Sequence, residues 1–184
     1  MIFEPDHDES VTTCSSSCGS SAKLLNLVHP HFQQVLNRLA TTYHGGSPYF
    51  LCCYERLCKK LHDEGHKNAI LIGLPLLSMK VNVMNNNFAG YILGETILSR
   101  GTITADIYFI YVHNIYRGRG YATILYDTFE NLVVARSVKV GVKSVTLRVT
   151  LKECILSGVL FWKKKDFEGS ANSVCLIKQL KCYY

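Results

Sequence analysis

A chain of 184 residues, 48% hydrophobic and 18% charged, is long enough to bury a core, and one domain is the expectation. Its longest apolar run, Ala69 to Leu77, is about nine residues against the roughly 20 that a membrane-spanning helix needs, so no span and no membrane partner are predicted. The formal charge of +6 is spread along the chain and suits an anionic ligand or an acidic partner; without an aromatic RNA-binding pattern or C-x-x-C fingers, nucleic acid is not expected.

Residues 1–22 open acidic ("MIFEPDHDES") and turn to Ser, Thr and Cys ("VTTCSSSCGSSA"). With almost nothing apolar to bury, they read as a flexible tail ahead of a single domain at 23–184. The start carries neither a signal-peptide apolar stretch nor an Arg-rich transit pattern, so the cytoplasm is the expected compartment, with the nucleus left open. In a reducing compartment the eight cysteines read as small buried hydrophobes, and structural disulfides are not expected. Cys14 with Cys18, and Cys58 with His62 and His66, are the two groupings that suggest a metal; neither has the paired spacing of a structural zinc site, and no metal is expected.

From Lys23 the pattern changes. "KLLNLVH" reads as a short strand, and "PHFQQVLNRLATTY" as a helix with Pro30 at its first position and Phe32, Val35, Leu36 and Leu39 at helical spacing. A Gly-Gly-Ser-Pro break separates it from a second helix, about Tyr49 to His62. Two strands follow, "NAILIGLPLLSMKVNVM" and "NNNFAGYILGETILSR", joined as a hairpin at Asn85 to Asn87. "TITADIYFIYVH" is their partner, rich in Ile, Tyr, Val and Phe. Then comes a helix with Ala122, Leu125, Phe129, Leu132 and Val133 on one face, a strand "KSVTLRVT", a short helix "LSGVLFWKKK" and a final strand "SVCLIKQLKC". The order β-α-α-β-β-β-α-β-α-β predicts an α/β fold, a mixed sheet covered by helices.

Between the third long strand and the long helix stands "NIYRGRGYA". A strand feeding directly into a helix leaves the first backbone N–H groups of the helix without intrahelical partners, at the positive end of its dipole. Gly118 and Gly120 permit tight turns and close approach to the backbone, Arg117 and Arg119 add charge, and no acid appears until Asp127. The pattern predicts phosphate or pyrophosphate binding. It is not a mononucleotide P-loop, because no Lys-Ser/Thr pair follows, nor a dinucleotide fingerprint, because Ala122 falls one residue too early.

"VHNIYRGRGYA", Val112 to Ala122, resembles the acetyl-CoA signature of the GNAT superfamily of N-acetyltransferases, [RQ]-x-x-G-x-[GA], met by Arg117, Gly120 and Ala122 with a valine, Val112, five residues before the arginine. "NNNFAGYI" is similar to the family's hairpin into its third strand, and "LFWKKKDF" to its Tyr-x-x-x-Gly-Phe segment, so the resemblance covers about residues 23 to 182. It implies the acyl-CoA N-acyltransferase fold, acetyl-CoA as co-substrate, and direct transfer of acetyl to a primary amine of a protein or small molecule. It also implies that the backbone of Ile110, Tyr111 and Val112 pairs with the pantetheine arm and that the amides of Arg117, Gly118, Arg119, Gly120, Tyr121 and Ala122 hold the pyrophosphate. In the histone acetyltransferase branch an acid six residues before the valine is the general base, and that position is Asp106; Glu95 in "GYILGETIL" is the second candidate.

Two positions depart from the family pattern. Trp162 stands where many members carry the tyrosine that protonates the departing thiolate, and Asp166 stands where the glycine before the final phenylalanine belongs. Tryptophan has no proton to give at neutral pH, which leaves water, Tyr108 or Tyr111 as the source. A catalytically silent acyl-CoA-binding or interaction module of the same fold is the alternative expectation.

Overall fold

The computed structural model describes residues 23–24, 69–75, 88–151, 156–169 and 175–182. The predicted N-terminal tail, both N-terminal helices, the Asn85 to Asn87 turn and all five residues of the two metal groupings lie outside the described residues. Six strands form one sheet in chain order: β1 (Lys23–Leu24), β2 (Ala69–Pro75), β3 (Phe88–Ser99), β4 (Thr102–Val112), β5 (Ser144–Thr150) and β6 (Cys175–Lys181). Every neighbouring pair is antiparallel except β4 and β5, which are parallel. Parallel neighbours need a crossover, and α1 (Tyr121–Lys139) provides it; α2 (Leu156–Lys164) joins β5 to β6. The predicted order of described elements is therefore present.

Helix α1 buries Leu125, Phe129 and Val133, three of its five predicted face positions, and adds Tyr126 and Ser137. They close a core with Ile70, Ile72 and Ile92 of β2 and β3, and with Ile103, Ala105 and Ile107 of β4. Gly94 makes that approach possible: a Cβ there would stand 2.8 Å from the Phe129 ring and 2.5 Å from the Asp106 carbonyl oxygen. Helix α1 ends in a Schellman turn on Gly141 (φ 72), with the Val142 N–H donating to the Ser137 carbonyl.

Helix α2 ends in the same way, which explains one departure from the family pattern. The Phe167 N–H donates to the Trp162 carbonyl and the Asp166 N–H to the Lys163 carbonyl, while the Trp162 and Phe167 rings pack at 5.1 Å. Asp166 has φ 63, the left-handed conformation that glycine adopts freely and that Asp tolerates better than most residues. Trp162 itself is 2% exposed and packs edge-on against Tyr126, Phe161 and Phe167. Lys163 and Lys164 are exposed, but Lys165 folds back to pair with Asp127 and lies over the Tyr126 ring. On the other side Lys178 of β6 pairs with Glu130 at 3.0 Å and donates to the Tyr126 hydroxyl at 3.3 Å. Burial, then the hydrogen bond and charge of Glu130, push the Tyr126 phenol well above its usual range. The described cysteines Cys175 and Cys182 are free, and no described helix is long and apolar enough to cross a membrane.

Candidate active site

Strand β4 does not enter α1 directly. His113 is followed by a single 3-10 turn, Asn114–Tyr116, in which the Tyr116 N–H donates to the His113 carbonyl and the Arg117 N–H to the Asn114 carbonyl. Arg117 then reaches back, its Nε donating to the Val112 carbonyl at 3.0 Å, so the side chain read as ligand charge also staples the loop to the strand end. The Arg119 guanidinium lies 5.9 Å over the Tyr116 ring. Both arginines are exposed.

Gly118 (φ 73) and Gly120 (φ 77) both hold left-handed conformations, and a Cβ on either would meet nothing within 4 Å. The glycines are thus required by backbone conformation, and the space beside them stays open. Gly120 caps α1 with no side-chain hydrogen bond, and there is no acid in the first turn. The first intrahelical bond is from the Ile124 N–H to the Gly120 carbonyl at 3.1 Å. Among the described residues no backbone carbonyl accepts from the N–H groups of Gly118, Arg119 or Gly120. These donors, the positive end of a 19-residue helix and two cations make a cradle fit for a pyrophosphate.

Ile110, Tyr111 and Val112 lead into this cradle along the far half of β4. The parallel ladder with β5 runs from Ile103↔Val145 to Ile107↔Val149, and β4 continues five residues past it. On its other side β4 stays paired with β3 as far as Gly90↔Val112. The two strands change register between Leu93↔Phe109 and Gly94↔Ile107, so that Tyr108 is an extra, bulged residue at the point where the β5 ladder stops.

Both candidate carboxylates stand next to that bulge. Glu95 and Asp106 are register partners, and Arg148 of β5 is the register partner of Asp106, so the three share one sheet face, opposite the α1 core. Asp106 accepts from Arg148 twice, from Nε at 2.6 Å and from Nη2 at 2.7 Å. Their side chains are 13% and 43% exposed, and the hydrogen bond to Asp106 raises the Arg148 pKa above its already high usual value. Glu95 is 3% exposed and accepts a hydrogen bond from the Tyr108 hydroxyl. Nothing in the sequence could have shown Arg148 as the partner of Asp106, since the two are 42 residues apart and meet only through the parallel register. The described residues contain no group of three or more His, Cys, Asp or Glu side chains that could hold a metal.

A sheet of this order, with a parallel β4–β5 pair bridged by a glycine-capped helix, matches the acyl-CoA N-acyltransferase fold. Residues 39–152 match the acetyltransferase (GNAT) family, and the chain belongs to that family. Its architecture is similar to a putative GNAT acetyltransferase from Desulfovibrio desulfuricans (14% identity, 90% of this chain and 100% of that one, TM-score 0.57). It is also similar to NAA60 of Arabidopsis thaliana in complex with acetyl-CoA (15% identity, 86% and 97%, TM-score 0.53). A third likeness is to the NatC complex bound to Gag peptide and CoA (12% identity, 87% and 96%, TM-score 0.54). No curated protein matches the chain.

Proposed function

We propose that this chain is an acetyl-CoA-dependent N-acetyltransferase that passes acetyl directly from the thioester to a primary amine of a protein or small molecule, in the cytoplasm. The observation that carries the reading is the N-terminus of α1, without a side-chain cap and with its two left-handed glycines, an anion cradle joined to a strand end that outruns its β5 partner. On this reading the Arg117 to Ala122 amides hold the pyrophosphate, and the backbone of Ile110, Tyr111 and Val112 lines up the pantetheine arm. Acetyl-CoA in the structure of NAA60, and a Gag peptide with CoA in that of NatC, support an amine acceptor of the protein class, without selecting a lysine over a chain N-terminus. The test is thiol release from acetyl-CoA against a panel of lysine peptides, free peptide N-termini, polyamines and aminoglycosides. Turnover with one class and not the others names the acceptor.

One observation favours a second reading. Trp162 is locked into an aromatic cluster and has no proton to deliver, which suits a fold that binds acyl-CoA without turning it over. Calorimetric binding of acetyl-CoA and CoA with no thiol release from any amine would establish that module instead.

A further inference from the structure

Direct acetyl transfer moves two protons at the site: nitrogen must lose one as the C–N bond forms, and sulfur must gain one as the C–S bond breaks. Trp162 serves neither. Tyr108 and Glu95 meet at the bulge of β4, and their chemistry differs from that of the Asp106–Arg148 pair beside them in one decisive respect. A guanidinium has five donors and no acceptor, so an Asp106 that took up a proton would turn an O–H toward a group that cannot accept it and would lose a bidentate, charge-assisted contact. A tyrosine hydroxyl both donates and accepts. When Glu95 takes up a proton, its hydrogen bond with Tyr108 reverses direction and survives.

We propose that Tyr108 and Glu95 form a single proton relay, with Tyr108 as the catalytic residue that faces the reacting atoms and Glu95 as the positioning residue that stores the proton; the proposal rests on the acetyltransferase reading above. The backbone supports the assignment. Tyr108 is the bulged residue of β4 and the first beyond the β5 ladder, at the start of the strand end assigned above to the pantetheine arm, while Glu95 is held on β3 across from Asp106. The step balances without any outside reagent. An alkyl ammonium first gives one proton to bulk water and attacks as the neutral amine. As the C–N bond forms, the nitrogen passes its second proton to Tyr108 Oη while the Tyr108 proton moves to Glu95 Oε1. The tetrahedral carbon then expels the thiolate with the electrons of the C–S bond. Tyr108 gives its proton to the sulfur and recovers one from Glu95, so amide and free thiol leave and the pair is restored.

The experiment uses the full chain, acetyl-CoA and the best amine of the panel. Tyr108→Phe and Glu95→Gln should each lower kcat roughly 10²- to 10³-fold, with acetyl-CoA affinity within about twofold of wild type. The double variant should be no worse than the poorer single one, because two residues of one relay act as a unit. As a check against a merely structural role, 3-fluorotyrosine at position 108 keeps the shape and the hydroxyl but is more acidic, and should shift the pH profile of kcat to lower pH. The relay is overturned if both single variants keep more than about a third of wild-type kcat, if their losses multiply in the double variant, or if fluorination leaves the profile in place. Should either single variant fail to fold, the fluorotyrosine profile decides. A wild-type chain that releases no thiol with any amine overturns the acetyltransferase reading and the relay together, whereas an active wild type with active variants overturns the relay alone.

Discussion

The two halves of β4 have opposite environments. From Ile103 to Ile107 the strand is paired on both sides, sends Ile103, Ala105 and Ile107 into the core under α1, and is tied across the sheet by Asp106 to Arg148. From Tyr108 to Val112 the ladder with β5 is gone, most residues are only partly buried, and the strand ends in the loop that opens α1 to an anion. One bulged residue separates the two. A half held by two ladders and a core can be rigid without holding a ligand; a half held by one ladder leaves polar backbone available to a ligand, with the rigid half fixing its position. The two roles are separable by mutation, and a test of the comparison is whether damage to one half spares the other.

The largest separation is expected at the end of the open half. Gly120→Glu places a carboxylate at the helix N-terminus where the pyrophosphate would lie, and forces a left-handed conformation on a residue with a Cβ. Acetyl-CoA binding measured by calorimetry should fall roughly a thousandfold, about 4 kcal/mol, while the far-ultraviolet spectrum stays that of the folded chain and the melting temperature drops by only a few degrees. Unchanged binding would remove the loop as the cofactor site. The converse comes next in size. Ile107→Ala empties a fully buried position of the paired half and should cost about 2 to 4 kcal/mol of stability in chemical denaturation. Acetyl-CoA affinity at a temperature where the variant is folded should stay within about threefold of wild type; a loss as great as that of Gly120→Glu would mean the halves are one unit.

The sequence made the elements of both halves legible for a local reason: a run rich in β-branched and aromatic residues marked β4, a 3.6-residue period marked α1, and paired glycines marked the turn. The bulge was not legible. "DIYFIYV" is apolar or aromatic at nearly every position, so a one-residue slip in register leaves no trace in the pattern, and Tyr108 could not be told from Tyr111 as the residue beside Glu95. Likewise a strand aspartate looked like a candidate base on position alone, because the partner that engages both of its oxygens comes from a strand on the far side of a 19-residue crossover helix. Asp166 was read as a departure from the family, and its φ of 63 makes it a substitute for the glycine in the same turn. Sequence recorded which residue types were present; the strand registers on the two sides of β4 decided which of them met.

The smallest effect falls on the boundary itself, two residues before the bulge. Asp106→Asn keeps the size of the side chain but turns an amide donor toward the Arg148 guanidinium in place of one carboxylate oxygen, leaving a cation with half its contact. Were both groups fully buried, breaking the pair would cost about 3 to 5 kcal/mol. Arg148 is 43% exposed and can turn part of its guanidinium to water, so the loss should be nearer 1 kcal/mol by chemical denaturation. Because Asp106 belongs to the paired half, kcat for thiol release should fall less than tenfold, through displacement of Tyr108 and not through loss of a base. Mutating Arg148 to Met should produce a drop of similar size, since it removes the same contact from the other side. A fall of roughly 10² to 10⁴ in kcat confined to Asp106→Asn and absent from Arg148→Met would move the base to Asp106 and shift the boundary between the two halves of β4 to a point before it.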